Sequence, residues 1–136
     1  MQDRPTAIEL IEAVSYHLSQ QVIPTLRDPR LRFRTLVAAN VLTIVVRELQ
    51  LAETQAVAEW RRLCVLLGEE KEGRPPAHQQ LVREIEAMNA LLCRQIEAGH
   101  FDDPAAWHQL LGHCRETAQE KLAIANPEYL ARSESI

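Results

Sequence analysis

Residues 31–51, LRFRTLVAANVLTIVVRELQL, decide how this chain folds. The middle of the stretch, LVAANVLTIVV, is apolar nearly all round, as expected of an element surrounded by others. Its β-branched piece VLTIVV would also suit a buried strand. The VAAN before that piece and the RELQLAE after it are good helix formers and favour a helix. Read so, the stretch is the second helix of the chain and its expected centre, enclosed by its neighbours.

Composition agrees with a helical reading. The chain has 136 residues, 46% apolar, 25% charged and only 4% aromatic. Four glycines and seven prolines leave few turns to make, whereas strand-rich folds need a turn every ten residues or so. The length suits one domain over residues 1–136 with a core of its own.

Working outward, Thr6 and Glu9 have the spacing of a capping box and start a first helix. Ile8, Ile11, Val14, Leu18 and Val22 keep to one face of it until Pro24 intervenes, and residues 24–29 read as a bend. Beyond the second helix, a third carries Val57, Trp60, Cys64 and Leu67 on one face, with Gly68 suited to the left-handed closing residue. The charged stretch EEKEGRPP, residues 69–76, reads as a loop joining two halves. A fourth helix turns Leu81, Ile85, Met88, Leu92 and Ile96 inward and stops at Gly99. Asp103-Pro104 opens a fifth, with Trp107, Leu110, Leu111, Cys114, Ala118, Leu122 and Ala125 on its apolar face, until Asn126-Pro127 ends it. A frayed tail is expected from about residue 131. The expected fold is all-α, a single-domain bundle of about five helices around the buried second helix.

Three segments together carry a likeness: RPTAIELIEAVSYHL near the start, LRFRTLVAANVLTIVVRELQL, and KLAIANPEYL at the end. From about Arg4 to Leu130 the chain resembles an uncharacterised bacterial family of small helical proteins, a domain of unknown function. The resemblance implies a setting near acyl-CoA dehydrogenases and kinases similar to aminoglycoside phosphotransferases. It supplies no activity and no catalytic residues.

The sharpest local anomaly is Arg27, Arg30, Arg32 and Arg34, opposed only by Asp28, in a chain of net charge −4. Cations at the start of a helix stand against its dipole, a cost that an anionic ligand or an acidic partner surface offsets. Solvation, or pairing with glutamates of neighbouring helices, is the plainer reading. Asn40 and Arg47 share a stripe with Phe33, Val37, Ile44 and Leu51. On an enclosed helix both need partners, as a buried polar network or as the lining of a pocket.

Other chemistry finds little support. His108 and His113 point about 140° apart on a helix and form no H-E-x-x-H pair. Cys64, Cys93 and Cys114 lie within or beside apolar stripes, as inert thiols do. Trp60 and Trp107 stand at core spacing. No nucleophile elbow, P-loop or dinucleotide fingerprint is present, so no catalytic residue, metal or cofactor is assigned. The acidic balance argues against nucleic acid, and the run 36–46 is too short to span a membrane. An odd cysteine count and the absence of a signal-like start favour the cytoplasm. The expected role is a non-enzymatic accessory protein docking onto a partner enzyme, an acyl-CoA dehydrogenase or phosphotransferase-like kinase by the resemblance, with self-association also expected. The alternative is a binding module for an anionic small molecule such as an acyl-CoA, held by the arginine cluster.

Overall fold

The computed structural model describes residues 4–69 and 75–133. Helix α1 spans Ala7–His17 and opens on the expected capping box: Glu9 N donates to Thr6 Oγ1 at 3.2 Å and Thr6 N to Glu9 Oε2 at 2.6 Å. Pro24 has no N–H to continue the ladder. The chain ahead of it loosens into a π-helical turn, Leu18–Val22, then tightens into a 3-10 turn, Ile23–Thr25.

Helix α2 runs without a break over Pro29–Leu67, 39 residues. Asp28 caps it by accepting from Arg30 N at 2.9 Å, with Pro29 in the first helical position. Between Arg30 and Leu67 there is neither glycine nor proline. Gly68, at φ +65°, then closes the helix: Glu69 N donates to Cys64 O at 2.9 Å and Gly68 N to Val65 O at 3.3 Å, a Schellman pair. Helix α3, His78–Glu97, ends the same way at Gly99, φ +80°. Helix α4, Pro104–Ala125, is capped by Asp103, whose Oδ2 accepts from Ala105 N and Ala106 N. A short α5, Pro127–Ser133, follows Asn126. Among the described residues there is no strand, and the fold is all-α.

The helix boundaries differ from expectation in two places. The second and third expected helices are one, because the AETQA between them holds only residues that a helix tolerates. The expected end at Asn126-Pro127 is a corner, and Pro127 begins a new helix. Most of the expected loop at 69–76 lies outside the described residues, and so does the end of the expected tail; residues 131–133 belong to α5.

The chain divides into two compact units, Met1–Leu51 and Ala52–Ile136, with the division inside α2 rather than at the 69–76 loop. The first is a helical hairpin: α1 and its turns lie against the first half of α2, and Ser15 Oγ donates to Ala39 O at 3.4 Å. Its buried apolar residues are Ile23, Ala39 and Val46. The second holds a continuous core of Trp60, Leu63 and Cys64 from α2, Leu81, Ile85, Met88 and Leu92 from α3, Phe101, and Leu110 from α4.

Residues 31–51 are not the enclosed centre. Leu31, Phe33, Leu36, Val37, Val41, Val45 and Leu49 are 38–68% exposed. The physical reason lies within their own unit, where α1 and its turns cover only the side of α2 that carries Ala39 and Val46. On α4, Trp107 and Leu111 are each 47% exposed, since Leu110 and His113 occupy the inward face.

The glycines give a stability test of opposite signs. Gly68→Ala forces a Cβ into the left-handed region and is expected to lower stability by about 1–2 kcal/mol. Gly112, inside α4 with open space where a Cβ would point, is expected to give a gain of about 0.5–1 kcal/mol as Gly112→Ala. Urea unfolding of both variants checks the pair.

Candidate functional site

In the unit that ends at Leu51, the bend and the first turns of α2 carry Arg27, Arg30, Arg32 and Arg34, all exposed. Among the described residues none of the four makes an ion pair. At about 100° per residue, Arg30 and Arg34 fall on the same side of α2 as Val41, while Arg32 falls on the opposite side. The bare apolar stripe continues from Arg34 through Val37, Val41 and Val45 to the exposed Glu48. The buried Ala39 and Val46 lie on the far side, against α1.

Asn40 and Arg47 do not form a buried network. Asn40 is exposed, and Arg47 is half-exposed with its Nε donating to the Thr43 carbonyl of its own helix at 3.3 Å. Solvent reaches both because the helix that carries them has one neighbour in its unit instead of several. Nor do they line the open groove of about 320 Å³ between α1 and α2, which is bounded by Glu12, Ser15, Tyr16, Ser19, Gln20, Thr43 and Val46. Among the described residues no arginine lines that groove either.

The second unit contains a polar cluster that the sequence reading did not single out. Arg62 on α2 forks onto Glu120 of α4, Nη1 to Oε1 at 2.9 Å and Nη2 to Oε2 at 2.5 Å, with Glu116 at 3.3 Å. Gln55 Nε2 donates to the Glu120 carbonyl, and Asn89 Nδ2 on α3 donates to Glu59 on α2. The hydrogen bond to Glu120 holds the Arg62 pKa above its ordinary value, against the desolvation that opposes it. Buried beside this cluster, His113 has no hydrogen-bond partner at Nδ1 among the described residues. Burial, then the nearby Arg62 charge, push its pKa below the usual imidazole value; Glu59, Glu120 and Glu116 pull weakly the other way. The signal was present as Glu59 with Arg62, and Glu116 with Glu120, one helical turn apart on their helices. The cluster clamps α2 to α4 and α3. Among the described residues no group of three His, Cys, Asp or Glu is placed to hold a metal ion. Cys64 is buried, whereas Cys93 and Cys114 are exposed.

By length and composition α2 could also cross a membrane: its most apolar 18-residue window has mean hydropathy 1.4 and is 11% buried. The 11-residue run weighed from sequence understated this helix.

Over residues 24–129 the chain matches the family described as a domain of unknown function (DUF6285), and it belongs to that family. No curated protein and no solved structure matches it.

Two tests address the cluster. Glu120→Ala removes the fork from the Arg62 guanidinium, whose side chain is only 19% exposed, leaving it the more exposed Glu116, and is expected to cost about 2–3 kcal/mol, with Arg62→Met plus Glu120→Leu recovering much of it. Burial and the Arg62 charge depress the His113 pKa in the fold. The unfolded chain therefore takes up a proton first as pH falls below about 6.5, and stability present above that value is lost through the window beneath it. Thermal unfolding from pH 7.5 to 5 should fall less steeply for His113→Gln than for the parent chain.

Proposed function

We propose that this protein works by docking: the first half of α2 is an interaction surface that takes a protein partner, and the arginine-rich start is its charged edge. The observation that carries the reading is the bare stripe of Leu31, Phe33, Val37, Val41, Val45 and Leu49 on a well-capped helix. Contiguous exposed apolar area bordered by charge is the common mark of a binding face, because leaving it in water forgoes about 25 cal/mol for each Å² that a partner would cover. Arginines at the edge favour a partner with acidic groups beside an apolar patch and speed encounter with it.

The family likeness directs the first trials to an acyl-CoA dehydrogenase or a phosphotransferase-like kinase. The reading of an anionic small molecule such as an acyl-CoA needs an apolar slot beside the arginines; the groove between α1 and α2 has Glu12 and, among the described residues, no arginine on its wall.

Calorimetric titration of the purified full chain against each purified enzyme tests the docking. Saturable binding is expected, weakened at least about tenfold, or about 1.4 kcal/mol, by Val37→Asp and more mildly by Arg30→Ala plus Arg34→Ala. Coenzyme A titrated in parallel should give no heat that depends on those arginines. Failure of both enzymes to bind, with arginine-dependent binding of coenzyme A, would reverse the order of the two readings.

A further inference from the structure

The exposed side of α2 reads, from Arg34 to Glu48, as base, apolar, acid. At about 100° per residue, Arg34, Val37, Val41, Val45 and Glu48 all lie within about 40° of the direction of Val41. Val37, Val41 and Val45 are 46%, 49% and 38% exposed, and Arg34 and Glu48 are exposed. Arg34 and Glu48 each stand seven residues from Val41, and Val37 and Val45 each stand four. On one helix the two charges are 14 residues apart, about 21 Å, too far to meet. Turned end for end about Val41, the same sequence presents acid where it had base and valine where it had valine.

We propose that the occupant of this face is a second copy of the chain, packed antiparallel across a two-fold axis at Val41. Val41 then meets its own copy, Val37 meets Val45 of the partner, and Arg34 meets Glu48 of the partner twice, once on each side of the axis. A two-fold interface requires a patch that is its own complement, and this stripe meets that requirement in both shape and charge. Helix pairs 8–10 Å apart leave Arg and Glu side chains long enough to reach across such a seam. Arg27, in the bend, and Arg32, on the opposite side of the helix, stay outside the seam and free for another partner. The proposal rests on the reading of this face as an interaction surface and names its occupant.

The test uses the full chain in sedimentation equilibrium over about 1 to 100 µM, with circular dichroism to verify helix content. The parent is expected to be a dimer and Val41→Arg a monomer of unchanged helicity, since Val41 is half-exposed. Arg34→Glu alone and Glu48→Arg alone should each weaken the dimer at least about tenfold. The double variant should recover it. Mixing the two single variants should also recover it, as heterodimers, which only contacts between chains achieve.

A monomeric parent, a dimer indifferent to Val41→Arg, or single charge variants without rescue would overturn the pairing. If the parent is monomeric yet Val41→Arg abolishes binding of a partner enzyme, self-pairing falls and the docking reading stands; if the variant changes neither, both fall. A parent that is monomeric in solution and floats with vesicles of equal phosphatidylcholine and phosphatidylglycerol, where Val41→Arg does not, would assign the face to a bilayer instead.

Discussion

The unbroken hydrogen-bond ladder of α2 is the constraint from which the rest of the molecule follows. Asp28 and Pro29 start it, Gly68 stops it, and nothing between interrupts the i to i−4 pattern. One helix therefore serves two units. In one, its first half has a single neighbour, α1 with its turns; in the other, its second half has α3 and α4 and becomes part of a closed core. The same secondary structure is bare at one end and covered at the other because the number of neighbours differs, not because the residues are less apolar.

This is also why the sequence was legible in some places and misleading in others. Caps and breakers act over three or four residues, so Thr6 with Glu9, Asp103-Pro104, Gly68 and Gly99 could be read directly and occupy the predicted roles. Of the expected stripe, Leu81, Ile85, Met88 and Leu92 form the buried face of α3 for the same reason, whereas Ile96 at its end is exposed. Asp28-Pro29 is the same signal as Asp103-Pro104, and reading it would have started α2 two residues earlier. An all-round apolar helix, by contrast, says only that its surface prefers cover. Whether the cover comes from the same chain depends on tertiary neighbours, which residues 31–51 do not encode. The expected burial of Asn40 and Arg47 fell with that one inference.

The polar cluster shows the limit from the other side. Glu59, Arg62, Glu116 and Glu120 look like ordinary solvated charges in sequence, at the spacing common on helix surfaces. Their interest arises only when α2 and α4 come together and Arg62 is largely withdrawn from water. Retaining a charge there requires the fork onto Glu120. That fork joins α2 to α4 beside the buried His113.

The arginines are thus treated differently in the two units. Arg62 is withdrawn from water with two carboxylates in reach. Arg30 and Arg34 are solvated, oppose the dipole at the start of their helix and, among the described residues, form no ion pair. Burying the valine stripe against a purely apolar partner would bring those arginines towards a dry edge without an acid, which is costly. Only a partner that brings carboxylates to the ends of the apolar patch gains the burial without that cost. Glu48 places such a carboxylate at the required distance from the centre of the same stripe, which is the charge match that the proposed two-fold pairing with Arg34 uses.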